Sequence, residues 1–324
     1  MGRMVEGKWT TEWYEPDEEG RFQRPETTFR SGVGEGTDFP VEPDRYHLYV
    51  AYACPWAHRT LMMRKLKGLE EVLPISVVHP HMGDDGWVFA DDEPGCIPDT
   101  VLGKDYLREV YAEADPHFTG RVTVPVLWDK KQDTIVNNES AEVMRILDTE
   151  FDEFADNQVT LYPNGYREVI DETIEAIYEP INNGVYRAGF ATTQKAYEEA
   201  VEELFRALNQ WETVLGSQRY VCGDVFTEAD ICMFTTLFRF DLVYHYHFRC
   251  NVRRIRDYPN LWNFVKEVHQ MPGVAETTNV DHTKRHYFGS HPTINPEGIV
   301  PVGPAIDFTA PHDRDRLPGE VRAL

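Results

Sequence analysis

One short stretch constrains this chain more than any other: the apolar run Tyr46-His47-Leu48-Tyr49-Val50-Ala51 leads into Cys54-Pro55-Trp56-Ala57. A β-like run, a cysteine, a proline, then Ala57, Leu61, Met62 and Leu66 at helical spacing read as strand, turn, helix. Pro55 suits a first helical turn, where its missing N–H costs nothing, and Gly68 suits the far end as a C-terminal cap. Cys54 therefore stands at a helix N-terminus, where unpaired backbone N–H groups and the helix dipole favour a thiolate over a thiol. A thiolate there is a nucleophile. Ala57 holds the place where a second cysteine would make a disulfide-cycling pair, so the site has one cysteine and needs a thiol from solution to complete a redox cycle.

Around this core the chain reads as two domains with flanking segments. Its 324 residues suffice for two ordinary domains, and 41% apolar with 12% aromatic residues is a globular composition. Residues 1–44 are polar and rich in Gly and Pro, an irregular extension. Residues 45–155 follow a thioredoxin-like order: the strand ending at Ala51, the Cys54 helix, a buried strand Val72 to Val78, and a loop-rich insertion from His79 to Gly120. A hairpin of Val122 to Trp128 with Thr134 to Val136 comes next, then a helix opened by Asn138-Glu139-Ser140. Residues 156–290 carry helical periods only: Val169, Ile170, Ile174 and Ile177; Val201, Leu204, Phe205, Leu208 and Leu215; and Leu261 to Met271. Thr227-Glu228-Ala229-Asp230 resembles a capping box with aspartate in the place more usual for glutamate. Residues 291–324 form a Pro- and Gly-rich tail. The fold class is thus α/β plus all-α.

Charge narrows the function. Against 32 basic residues stand 55 acidic ones, a formal net charge of −23 with the acids scattered along the chain. Such a surface repels nucleic acid and anionic membranes, both of which need basic patches. It reads either as adaptation to a salt-rich cytoplasm, where the Debye length falls to about 3 Å, or as an ordinary acidic protein. Met1 to Thr10 lacks the apolar core of a secretory signal, and no run approaches the length of a membrane span. Five cysteines suit neither a disulfide framework nor a metal spacing. His245 and His247 near Cys250 lack a companion pair, so no metal is expected. The protein is expected in the cytoplasm.

Other residues take meaning from Cys54. Val124-Pro125 precedes the hairpin where thioredoxin-like folds carry a cis-proline: it either starts an edge strand as a trans-proline or, with Cys54 present, is cis and leaves the Val124 backbone facing Cys54 for pairing with a peptide-like thiol. Glu139-Ser140 opens a helix, which either caps it or binds the charged ends of a γ-glutamyl amino acid through free N–H groups, a hydroxyl and a carboxylate. Tyr186, Tyr244, Tyr287 and Trp87, taken singly, read as packing residues. Cys96, Cys222, Cys232 and Cys250 read as structural thiols.

Taken together, Cys54-Pro55-Trp56-Ala57, Gly86-Trp87, Arg121 through Asp129, Asn138-Glu139-Ser140 and Asn182-Asn183-Gly184-Val185-Tyr186 resemble the glutathionyl-hydroquinone reductases, the Xi class of the glutathione transferases. Tyr244 with His247-Phe248-Arg249-Cys250-Asn251, and Ser290 through Pro296, carry the same resemblance, in the same order from about Arg45 to Gly303. The resemblance implies a thioredoxin-like domain followed by an all-helical domain, and a homodimer. It implies Cys54 as the catalytic thiol, with Trp87, Arg121, Val124, Glu139 and Ser140 holding glutathione or the shorter γ-glutamylcysteine. Tyr186, Tyr244 and Tyr287 would bind the oxygens of a glutathionylated quinol. Two other functions fit the same scaffold: a general thiol transferase or dehydroascorbate reductase, which needs no tyrosine trio, and a non-enzymatic binding module, which would not need Cys54.

Overall fold

In the computed structural model, which describes residues 2–321, the chain divides into two compact units, neither of them one continuous stretch. Residues 2–13, Pro25–Gln158 and Thr277–Val300 make the first; Tyr14–Arg24, Val159–Glu276 and residues 301–321 make the second.

The first unit runs β1 (Arg3–Val5), β2 (Lys8–Thr10), β3 (Tyr46–Val50), α1 (Pro55–Lys67), β4 (Ile75–Val77), α2 (Leu107–Ala114), β5 (Gly120–Arg121), β6 (Val126–Asp129), β7 (Thr134–Asn137) and α3 (Ser140–Thr149). A further helix, Val280–Ser290, belongs to it. The main sheet has the order β4-β3-β6-β7, with β3 parallel to β4 and antiparallel to β6. Every residue of β3 is buried, as a central strand covered on both faces requires. Gly68 ends α1 in the left-handed conformation, φ 68°, and its N–H bonds the Lys65 carbonyl at 3.1 Å while Leu69 N–H reaches Arg64 at 2.9 Å. The buried Lys67 ties α1 to α3 through the Asp148 carbonyl at 2.7 Å.

Four sequence expectations change here. The extension is not wholly irregular: β1 and β2 form a hairpin through Glu6-Gly7, both with positive φ, and β1 pairs with β5. The expected strand from Val72 shortens to Ile75–Val77, because Val72 and Leu73 are bound into a turn on the Leu69 carbonyl. The insertion contains α2, which buries Leu107, Val110 and Tyr111. Helix Val280–Ser290, expected in the all-α domain, packs in the first unit: its His282 ring meets Tyr52 at 5.8 Å, and His282 Nε2 donates to the Pro94 carbonyl at 2.7 Å. Its buried face is made for that unit, not for the other helices.

The second unit is helical: α4 (Arg167–Ile177), α5 (Gly184–Gly189), α6 (Gln194–Val214), α7 (Glu228–Arg239), α8 (His245–His247) and α9 (Pro259–Gln270). The capping box is formed, with Thr227 N–H donating to Asp230 Oδ2 at 2.8 Å. Two π-helical turns interrupt the regular pattern, Tyr178–Asn182 before α5 and Phe240–Tyr244 before α8. In the first, Asn183 N–H reaches back to Tyr178 at 2.8 Å. Pro180 supplies no N–H for a regular helical bond there. The C-terminal stretch is bound in: the buried Arg314 donates to the carbonyls of Leu215, Gln218 and Arg219, and Phe308 packs on Phe238 and His269. No helix among the described residues is long and apolar enough to cross a membrane.

Burial sets the acid response. His47 Nε2 meets Ser76 Oγ at 2.9 Å, and its buried Nδ1 has no partner among the described residues. Burial holds His47, and likewise His247, down to about 4 from an ordinary value near 6.5. Between those values the unfolded chain takes up protons that the fold refuses, so stability falls as pH drops through that window. The slope is about 1.4 kcal/mol per pH unit for each imidazole. Thermal melts at molar salt, where charge repulsion is screened, should show Tm falling from pH 6.5 to 5, and His47→Gln should flatten that fall; a Tm constant over this range would contradict it.

Candidate active site

Cys54 is the N-cap of α1, with φ −80° and ψ 123°, directly before Pro55 in the first helical turn. Its Sγ lies 3.6 Å from the Val124 carbonyl, as a donor, and the Val124–Pro125 peptide is cis. Strand-turn-helix and the β6 approach thus bring together the two features the sequence paired. The side chain is half-buried, whereas Cys222, Cys232 and Cys250 are buried. Burial pushes the Cys96 and Cys222 thiols up to about 11, and that of Cys250 higher still.

The start of α3 is built from several directions. Glu139 is the N-cap, its carboxylate accepting from Ala141 N–H and Ser140 Oγ, each at 3.4 Å, and from Thr27 Oγ1 at 3.3 Å. Capping is therefore present, and an extension residue reaches the same carboxylate. Arg59, buried on α1, donates to Ser140 Oγ at 3.4 Å and lies over the Trp56 ring at 4.5 Å, which connects the cysteine helix to the start of α3. Tyr111 of α2 is a second brace: its hydroxyl donates to Thr123 O at 2.9 Å and accepts from Asn138 Nδ2 at 3.0 Å. One buried phenol thus holds the residues before Val124 and before Glu139.

Arg121 sits in β5 and donates to the backbone carbonyls of Glu12 at 2.5 Å and Trp13 at 2.6 Å. Two of its donors serve the irregular stretch after β2, residues 11–24, which forms an N-terminal strap, a use the sequence did not suggest. Trp13 meets His291 edge-on at 5.9 Å, and His291 in turn meets Tyr287 at 5.7 Å. Trp87 is buried and stacks on His286 at 4.8 Å and 17°. His286 Nδ1–H donates to the Pro80 carbonyl at 2.9 Å, which fixes the ring. Trp87, Tyr287 and Trp13 are therefore linked through the His286 and His291 rings, and Arg121 joins them through the Trp13 carbonyl. His58, one turn along α1 from Cys54, bonds Thr277 at 2.9 Å, just ahead of the helix that carries Tyr287.

Tyr186 and Tyr244 belong to the second unit, where their rings lie 6.0 Å apart. Both follow directly from the π-helical turns: Tyr244 ends one, and Tyr186 is in the short helix after the other. Phe248 stacks on Tyr244 at 5.6 Å and meets Tyr186 at 5.5 Å. Gly189 permits that packing, since a Cβ there would stand 2.3 Å from the Phe248 ring.

A thioredoxin-like unit with its cysteine at a helix start, joined to a helical unit, is the architecture of a glutathione transferase. The glutathione S-transferase N-terminal domain family matches residues 53–150, and the C-terminal domain family matches residues 194–267. The chain is 51% identical to the glutathionyl-hydroquinone reductase YqjG of Escherichia coli, over 97% of this chain and 99% of that one. It is also 51% identical to the glutathionyl-hydroquinone reductase PcpF of Sphingobium chlorophenolicum, over 94% and 97%. Among solved structures, the Xi-class glutathione transferase from Natrialba magadii is 56% identical, with a TM-score of 0.93 over 99% of this chain and 98% of that one. A glutathione-bound structure of YqjG superposes with a TM-score of 0.87 at 50% identity, over 97% and 99%. The chain belongs to the glutathionyl-hydroquinone reductases, the Xi class of the glutathione transferases.

Proposed function

We propose that this protein reduces glutathionyl-hydroquinones to hydroquinones with glutathione, through a mixed disulfide at Cys54. The observation that carries the reading is Cys54 at the start of α1, 3.6 Å from the carbonyl of the cis-peptide residue Val124. Two relatives that bear this activity in their names, and a relative with glutathione bound, support it. The quinol first tautomerises, placing a proton on the sulfur-bearing carbon and leaving a keto oxygen beside it. Cys54 thiolate then attacks the glutathionyl sulfur, forming an S–S bond as the C–S bond breaks. The electron pair passes through the ring carbon to the keto oxygen, which takes a proton to give the hydroquinone. A second glutathione thiolate attacks the mixed disulfide, releasing glutathione disulfide and restoring Cys54.

In this reading Val124, Glu139, Ser140, Trp87 and Arg121 hold the thiol, Arg121 with its guanidinium also on the strap. Tyr186, Tyr244 and Tyr287 donate to the ring oxygens, because carbon is a poor leaving group until the ring is tautomerised. A homodimer and a cytoplasmic setting are further parts of this proposal, the first supported by the family resemblance and the second by the cysteine usage, and are tested by sedimentation and by cell fractionation.

The test is reduction of glutathionyl-menadione, with glutathione and with γ-glutamylcysteine as reductants, from low to molar salt. Turnover on the thioether well above turnover on a simple glutathione mixed disulfide is expected; the reverse would favour a general thiol transferase. The −23 surface should repel both itself and the thiol's carboxylates, so thermal stability and thiol affinity should both rise with salt. Flat values across the series would rule out the salt-adapted reading, and a strong preference for glutathione would rule out the shorter thiol.

A further inference from the structure

Arg24 lies in the part of the N-terminal strap that belongs to the second unit. Its guanidinium carbon stands 4.8 Å from the centroid of the Tyr186 ring, and its Nε donates to Asn183 Oδ1 at 2.9 Å. Asn183 is buried, immediately precedes the helix bearing Tyr186, and donates in turn to Glu179 Oε2 at 3.1 Å. Glu179 pairs with Arg187 at 3.3 Å. Arg24 also lies 5.4 Å from the Phe22 ring centroid, so aromatic faces and an amide hold its position together. A cation on the face of a phenol stabilises negative charge as it develops in that ring. It therefore strengthens the phenol as a hydrogen-bond donor, and most of all as charge arrives on the acceptor.

We propose that Arg24 is a positioning residue for quinol release, acting through Tyr186. The inference rests on Tyr186 donating to a ring oxygen of the quinol. As Cys54 sulfur bonds to the glutathionyl sulfur and the C–S bond breaks, the electron pair moves to the keto oxygen. Tyr186 supplies the proton to that oxygen, and solvent later reprotonates its phenolate. Cys54 is oxidised to the mixed disulfide and the ring carbon is reduced. Arg24 favours the step by stabilising the Tyr186 ring as its proton leaves. It needs no contact with the thiol to do so.

The experiment compares full-length wild type, Arg24→Gln, Arg24→Lys, Tyr186→Phe and the Arg24→Gln/Tyr186→Phe double variant. Two substrates are used: glutathionyl-menadione, and the mixed disulfide of glutathione with 2-mercaptoethanol. Arg24→Gln should lower kcat on glutathionyl-menadione about tenfold with KM nearly unchanged, while the mixed disulfide is turned over at the wild-type rate. Arg24→Lys should recover most of that loss. In the Tyr186→Phe background Arg24→Gln should have no further effect. Equal losses on both substrates would overturn the proposal in favour of a fold-supporting role, and so would additive losses in the double variant. If Tyr186→Phe alone leaves quinol turnover intact, it is the assignment of Tyr186 that fails; if Tyr186→Phe slows it and Arg24→Gln does not, only the role of Arg24 fails.

Discussion

Cys54→Ala should abolish reduction of glutathionyl-menadione, and Cys54→Ser should come close to doing so, because an alcohol at that helix start stays protonated where a thiol ionises. The thiol has three local features in its favour: its place as N-cap at the positive end of the α1 dipole, Pro55 preset for the first turn, and a half-exposed position that a second thiol can reach. Selectivity follows from the other cysteines. Burial holds the Cys96 and Cys222 thiols up to about 11, so near neutral pH they stay protonated and slow. Iodoacetamide at pH 7 should therefore label Cys54 first, with a rate that titrates below the ordinary thiol value of about 8.5. Mass spectrometry of the labelled peptides reads the site directly. Activity surviving Cys54→Ala would end the mechanism.

The tyrosines should separate the two halves of the reaction. Tyr287→Phe, Tyr186→Phe and Tyr244→Phe each remove one hydroxyl while leaving a ring that packs as before. That matters for Tyr244 and Tyr287, which are almost fully buried among aromatic neighbours. Losing a donor to a developing oxyanion costs on the order of a hundredfold in turnover, and that loss should appear with the thioether substrate. Simple disulfide exchange at Cys54 puts no charge on a ring and should be nearly intact. Parallel assays on glutathionyl-menadione and a glutathione mixed disulfide give the ratio. A ratio unchanged from wild type would make the three tyrosines packing residues, as each reads when taken alone.

Much of this architecture was legible locally. Strand, turn and helix around Cys54, the β6–β7 hairpin, the Thr227–Asp230 capping box and the long α6 all depend on residues a few positions apart, and their spacing carried them. What escaped depends on distant partners. The strands of the β1–β2 hairpin are three residues each, too short for a period, and β5, which completes their sheet, lies more than a hundred residues away at the far end of the insertion. The face of Val280–Ser290 is plainly one that buries something, but nothing in a helical period says that Tyr52, Pro80 and Pro94 are what it meets. Helix α2 is eight residues set among loops, with Leu107, Val110 and Tyr111 as its only signal. Of the π-helical turns, Pro180 marks the first, and Phe240–Tyr244 carries no comparable mark. At the site, the pairing of Cys54 with Val124 was readable because both sit in a recurring strand-and-helix plan. Thr27 on Glu139, Arg59 on Ser140 and Arg121 on the strap were not, since each is a long-range choice of a flexible donor.

The interleaving of the two units has a consequence for birth on the ribosome. A chain that emerges from its N-terminus presents the cysteine helix early, yet the helix that packs beside Tyr52 arrives only after the entire helical unit has been made. The thiol unit therefore cannot finish before its neighbour is synthesised, and the strap residues Tyr14–Arg24 must wait unpaired for the helices they join. Domains usually fold in order of synthesis; here completion of both is deferred to the last part of translation. A nascent chain halted at Gln158 would present the Cys54 helix before Thr277, the partner of His58, and before His286, the partner of Trp87, had been made.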